Sequence, residues 1–162
     1  MPKVFLGLGT NKGNRLEFLQ KAFQIISQQF VIHAYSSIYE TEPWGEYEQQ
    51  NFLNAVILVE TEMLPQHFFL IVQGIEKQTG RTTSARWKER EIDIDILLFE
   101  KNIIEETDLQ IPHRYLHQRK FVLIQFCEIA EETVHPVFQK TMGELLRECA
   151  DKGKVSKTEF TF

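Results

Sequence analysis

Residues 90–100 read REIDIDILLFE, an alternation that puts Asp93 and Asp95 on one face of a strand and Ile92, Ile94 and Ile96 on the other. Strand neighbours two apart lie roughly 6.6 Å from one another. At an effective dielectric of about 20, two carboxylates at that distance repel by roughly 2.5 kcal/mol, falling to about 0.6 kcal/mol in full solvent. Two readings compete: a strand with one wet face, or a pair of oxygen ligands for divalent cations. Mg²⁺ is typically held by one or two carboxylates, with phosphates and water completing its shell. Arg81, Arg86, Lys88 and Arg90 lie immediately upstream. A carboxylate pair flanked by cations suits a polyphosphate, which takes both metal ions and guanidinium forks. That neighbourhood favours the metal–phosphate reading.

Three other groups carry potential chemistry. In IPHRYLHQRKF, His113 and His117 have the i, i+4 spacing of a zinc pair, but no third ligand accompanies them. His113, entered through Pro112, reads either as a positioned donor to phosphate or as an ordinary surface histidine. Phe52 and Asn54 share a strand face, and a ring beside an amide can stack on and read a flat heterocycle; a core phenylalanine is the plainer reading. The glycines of GLGTNKGN do not match a dinucleotide fingerprint and read as a tight turn.

The elements that must position these residues follow from periodicity. KVFLGLG is a buried first strand, stopped by a Gly9–Thr10–Asn11 turn. Apolar residues from Leu16 to Phe30 recur at helical spacing, predicting a helix over 14–30. VIHAYSSIYET reads as one strand and NFLNAVILVET as a second, central one, separated by a loop holding Pro43 and Gly45. Pro65 opens a second helix that Gly80 closes. RTTSARWKERE is a polar loop, followed by the Asp93 strand and a short strand near Ile103 and Ile104. FVLIQFCEIA and MGELLRECA are helical, and the tail after Gly153 has no assignment. The order β-α-β-β-α-β predicts an α+β fold, a ferredoxin-like antiparallel sheet with helices packed on one face and C-terminal helical additions.

A length of 162 residues suits one domain, spanning 1–162. The net charge of −5 disfavours nucleic acid and anionic membranes as partners, so an anionic ligand needs a local basic cluster. No stretch approaches a membrane span or a signal peptide. Cys127 and Cys149 lack paired spacing, and a reduced, cytoplasmic protein is expected.

Taken together, these residues resemble the 6-hydroxymethyl-7,8-dihydropterin pyrophosphokinase family of folate biosynthesis. The resemblance runs from FLGLGTNKGN to VHPVFQKTMGELL. Its most specific parts are YETEPWG, NFLNAV, IEKQTGR, RWKEREIDIDILLF and PHRYLHQRKFVL, in that order. It implies a ferredoxin-like α+β fold and transfer of pyrophosphate from ATP to the pterin hydroxymethyl group, with release of AMP. By position, Asp93 and Asp95 would be ligands of two Mg²⁺ ions. Asn54 would hydrogen-bond the pterin, with Thr41, Pro43 and Trp44 closing its edge and Phe52 and Phe121 sandwiching the ring. Trp87 would join this pterin set. Gln73, Glu76, Ile96, Gln110, His113 and Arg119 match nucleotide-binding positions, together with Arg86 and Arg90. Arg81, Arg86 and Arg90 would serve the chemical step from a closing loop.

The chain departs from the family at three points. Phe52 stands where tyrosine is frequent. Thr82–Thr83 replace a basic residue. Gln125 replaces a usual proline, a change expected to concern packing only. A monomer acting on small molecules is expected. Competing classes are a ferredoxin-like RNA-binding module stacking bases on Phe52 and Phe121, another two-metal phosphoryl transferase, and a silent pterin binder.

Overall fold

The structure is a computed structural model, and it describes residues 1–43, 48–82 and 89–162. Strand β1 (Lys3–Thr10) is the spine of the sheet. It pairs antiparallel with β4 (Phe52–Glu60) in the register Lys3↔Glu60 to Thr10↔Leu53, and on its other edge with β5 (Asp93–Phe99), where Gly9 faces Asp93 and Gly7 faces Asp95. β2 (Ile32–Tyr35) and β3 (Tyr39–Thr41) both pair with β4, and β8 (Val155–Lys157) adds to β3. The order along the sheet is β5-β1-β4-β3-β8, every pairing antiparallel. β6 (Ile104–Glu105) and β7 (Gln110–Ile111) form a separate two-stranded ribbon.

The expected strand over VIHAYSSIYET is two strands. The break has a local cause: the Ser36 hydroxyl accepts the Val56 N–H at 2.9 Å, while Ser36 N–H donates to Val56 C=O at 2.8 Å. A side chain thus takes a place that a ladder carbonyl would fill. The tail after Gly153, which showed no strand period, is ordered by pairing Tyr39↔Lys157 through Thr41↔Val155.

Helix α1 (Arg15–Gln29) starts where the Asn14 side chain accepts the Glu17 N–H. Helix α2 (Pro65–Thr79) has proline in its first turn and ends at Gly80, whose φ of 124° suits glycine. Both pack on one face, where Leu19, Ala22 and Ile26 of α1 and Phe68, Val72 and Ile75 of α2 meet Leu6, Ile57, Ile94 and Ile96. Helices α3 (Lys120–Ala130) and α4 (Met142–Glu148) cover the opposite face, burying Val122, Leu123, Phe126, Met142 and Leu145 against Phe5, Val56, Leu58 and Leu97. The expectation of helices on one face is therefore corrected to helices on both. Phe126 stacks on Phe5 with ring centroids 4.2 Å apart, a contact worth about 0.5–1.5 kcal/mol beyond burial.

This arrangement explains the carboxylates in a core strand. Ile94 and Ile96 are buried under α1 and α2, whereas Asp93 and Asp95 point to the α3 face. They stay partly exposed, 26% and 33% for their side chains, because they line an open cavity on that side. Among the described residues, no helix is long and apolar enough to cross a membrane.

Candidate functional site

A cavity of about 450 Å³ lies between the sheet and the start of α3. Its floor is built from β1, β4 and β5, and its small residues matter. A Cβ on Gly9 would sit 3.1 Å from Asn54 Oδ1 and 3.4 Å from Phe52 Cδ1. Gly7 lies in β1 as the strand reading expected, and Gly9 and Thr10, expected to turn, continue the same strand. At Gly9 the missing side chain leaves room for Phe52 and Asn54 to lie across the sheet.

Asn54 is only 5% exposed, and its Nδ2 donates to Thr41 Oγ1 at 2.6 Å. That bond fixes the amide so that Oδ1 faces the space above Gly9. Phe121, in the first turn of α3, and Pro43 line the same cavity. Thr41, Pro43, Phe52, Asn54 and Phe121 are thus brought together.

The carboxylates stand beside this slot, each with its own partners. Asp93 Oδ1 accepts from Arg90 at 2.9 Å and from Arg81 at 3.3 Å. Asp95 Oδ2 lies 3.6 Å from His113 Nε2 and 3.8 Å from Arg119. Burial, followed by the neighbouring Asp95 charge, raises the Asp93 pKa despite Arg90 and Arg81. Burial lowers the pKa of His113, which favours the neutral ring. The Tyr115 N–H donates to its Nδ1 at 3.2 Å, so the neutral ring carries its proton on Nε2, facing Asp95. The His113 N–H donates to Leu97 C=O at 2.9 Å, which pins this segment to β5.

Behind the strand, Glu76 Oε1 accepts the Ile94 N–H at 2.8 Å and pairs with Arg81 at 2.6 Å. Burial is the main reason its pKa rises to about 7. Glu76 therefore touches the site through Arg81 and the β5 backbone and does not line the cavity. Gln73, on the same helix, is exposed and outside the cavity lining. Ile96 and Gln110 border the cavity. Trp44, Arg86 and Trp87 fall outside the described residues.

Three residues were not singled out for the site from sequence. Asn11, fully buried, donates its N–H to Arg90 C=O at 3.0 Å and accepts the Arg90 N–H at 2.8 Å. Its Nδ2 also reaches Gln49 and Gln50, so one amide joins three segments at the cavity rim. Its position directly after the first strand was the available signal. Glu91 ties the ends of the 82–91 segment together: Thr82 donates to it at 2.6 Å and Lys12 pairs with it at 3.2 Å. Burial pushes its pKa up, but these partners outweigh that and hold it at about 2. Gln125, expected to matter for packing only, lines the cavity from α3.

The pieces form a site with a flat aromatic and amide slot at one side and a carboxylate–guanidinium cluster at the other. Comparison with known proteins gives this arrangement a family. Residues 5–131 match the family model described as 7,8-dihydro-6-hydroxymethylpterin-pyrophosphokinase. A 2-amino-4-hydroxy-6-hydroxymethyldihydropteridine pyrophosphokinase of Aquifex aeolicus is 38% identical over 144 residues, covering 89% of this chain and 90% of that one. The Haemophilus influenzae protein of the same name is 38% identical over 153 residues, covering 93% and 95%. In fold, the chain is similar to a crystal structure of Plasmodium falciparum HPPK-DHPS with pteroate, at a TM-score of 0.75 and 17% identity. That likeness covers 91% of this chain and 44% of the other, so the chain spans less than half of that larger protein. On the family match and these two relatives, the chain belongs to the 7,8-dihydro-6-hydroxymethylpterin-pyrophosphokinase family.

Proposed function

We propose that this chain transfers the pyrophosphoryl group of ATP to the hydroxymethyl oxygen of 6-hydroxymethyl-7,8-dihydropterin, a step of folate biosynthesis. The observation that carries the reading is the adjacency, in one cavity, of the Phe52–Asn54–Phe121 slot and the Asp93–Asp95 pair with its arginines. We read residues 1–162 as one ferredoxin-like domain, acting as a cytoplasmic monomer on small molecules without nucleic acid or membrane.

In this reading Phe52 and Phe121 hold the ring by its faces, and Asn54, oriented by Thr41, pairs with its edge. Pro43 borders the slot, and Trp44 and Trp87 are read as further pterin contacts from the family resemblance. ATP lies toward Ile96, Gln110, His113 and Arg119, with Gln73 and Arg86 as further nucleotide contacts. Glu76 supports the site from behind, by holding Arg81 and the β5 backbone.

Asp93 and Asp95 fit Mg²⁺. They share one face of one strand and line one cavity, and burial, then the neighbouring Asp95 charge, raises the Asp93 pKa, a penalty on the ionised pair that a cation would relieve. No cluster of three or more His, Cys, Asp or Glu suited to a metal occurs among the described residues. Substrate phosphates and water would complete the shell of an ion held by Asp93 and Asp95, the usual arrangement for Mg²⁺. In this reading Asp93 and Asp95 would hold two such ions, which would supply charge neutralisation on the phosphate oxygens.

The hydroxymethyl oxygen attacks the β-phosphorus in line, and a new O–P bond forms. The bond from that phosphorus to the oxygen bridging the α-phosphate breaks, and AMP departs with the bridging oxygen and the bonding electron pair. The hydroxyl proton leaves to water. Arg81, Arg86 and Arg90 disperse charge on the transferred group, since this chemistry depends on positioning and electrostatics more than on a base. The test is AMP release from ATP with and without the hydroxymethyl pterin. Release that requires the pterin supports the assignment; equal release without it rejects it.

A further inference from the structure

Phe121 and Glu128 lie seven residues apart on α3, close to two full turns, so they share one face of the helix. Phe121 lines the cavity, whereas Glu128 bonds to the strands beside it. Its Oε2 accepts the Tyr39 hydroxyl at 2.6 Å, and its Oε1 accepts the Ser37 N–H at 2.9 Å and the Ser37 hydroxyl at 2.6 Å. Tyr39 is buried in β3, where it stands opposite Asn54, while Thr41 stands opposite Phe52. Cross-strand partners share a face, so the phenol that Glu128 holds lies on the same face as the ring and amide of the slot.

The protonation states suit a firm tie. Burial pushes the Glu128 pKa up, but the bonds from Ser37 and Tyr39 outweigh it and hold the carboxyl below its ordinary value. Burial, and then Glu128 as acceptor and as charge, raises Tyr39 to about 12. At neutral pH the carboxylate is ionised and the phenol keeps its proton. Such charge-assisted hydrogen bonds are roughly twice as strong as neutral ones.

The apolar contacts of α3 have a different effect. Val122, Leu123 and Phe126 pack with Phe5, Val56 and Leu97 and hold the helix down on the sheet. Burial of this kind is non-directional, whereas hydrogen bonds fix direction as well as distance. Ser37 lies in the break between β2 and β3, so its bonds to Glu128 also serve that break. The Tyr39 bond has no such second duty.

We propose that Glu128 is a positioning residue for the substrate ring: by gripping Tyr39 and Ser37 it sets where α3 stands along β3, and with it the gap between Phe121 and the Phe52–Asn54 side of the slot. The proposal deepens the pterin reading above and rests on it. A ring held by both faces needs both aromatic contacts at once, so a small slide of α3 weakens its binding.

The experiment compares wild type with Y39F, which removes one bond and keeps the ring, and E128M, which removes all three and keeps the side-chain length. Calorimetry measures 6-hydroxymethyl-7,8-dihydropterin binding in the presence of Mg²⁺ and a non-hydrolysable ATP analogue, and binding of that analogue alone. Y39F should bind the pterin about fivefold more weakly and E128M about tenfold, with KM raised to match. Nucleotide affinity and kcat should stay within about twofold of wild type. The double variant Y39F/E128M should equal E128M, because both substitutions break the same tie. A tie that served stability alone would lower Tm and leave pterin affinity untouched, and that result in both variants overturns the inference. Equal losses of pterin and nucleotide affinity overturn it as well. If E128M does not fold, Y39F decides alone. Wild type that binds no pterin overturns the pterin reading and this inference with it. Wild type that binds well, with variants equal to it, overturns this inference alone.

Discussion

The backbone N–H of Ile94, the residue between the two cavity aspartates, donates to Glu76 Oε1 at 2.8 Å. The same oxygen holds Arg81 at 2.6 Å, and Arg81 in turn reaches Asp93. One buried carboxylate on α2 thus sets both the height of the β5 strand that carries Asp93 and Asp95 and the direction of a guanidinium beside them. Replacing Glu76 by leucine removes both ties. The expected result is a loss of roughly 10–100-fold in kcat/KM at saturating Mg²⁺, the usual effect of removing an outer support of a metal site. Steady-state AMP release checks it, and circular dichroism verifies that the fold is retained.

Glu76 also gives stability a pH signature. Its folded pKa is raised to about 7 from an ordinary 4.5, first by burial. A carboxyl raised on folding contributes stability that is complete below about pH 4.5 and is lost as pH rises through about 7. E76Q, neutral throughout, keeps an acceptor for Ile94 and lacks this dependence. Across pH 5 to 8 the variant should therefore gain on wild type by up to about 3 kcal/mol, on top of a constant offset for the lost Arg81 pair. Urea unfolding at the two pH values measures the change, and a gap that is constant with pH contradicts it.

At Gly9 the site depends on an absent side chain. An alanine Cβ would meet Asn54 Oδ1 at 3.1 Å, tighter than ordinary contact, while touching Phe52 at an ordinary 3.4 Å. G9A should displace the Asn54 amide and weaken pterin binding about tenfold, while ATP affinity stays within about twofold of wild type. Isothermal titration of each ligand separates the two effects. Equal losses for both would show a general distortion instead.

These relationships show which parts of the site were legible in the sequence. The shared face of Asp93 and Asp95 follows from strand periodicity, because alternation is enforced by the pleat itself. The α1 and α2 spans were likewise readable from apolar spacing, Pro65 and Gly80. The Glu76–Ile94 bond was not, since a side chain reaching a backbone group 18 residues away leaves no periodic trace. Gly9 looked like the start of a turn because the strand opposite it, which reveals the missing Cβ as open floor, lies more than 40 residues away. The break at Ser36 was hidden in a run of good strand formers, where one hydroxyl competes with the ladder.

The central claim is that Asp93 and Asp95 hold the cation that presents the ATP phosphates to a stacked ring. Single-turnover AMP formation by D95A, with saturating ATP, pterin and Mg²⁺, tests it most directly. The rate should fall on the order of 10²–10³-fold with an unchanged circular dichroism spectrum. A rate near that of wild type would contradict it.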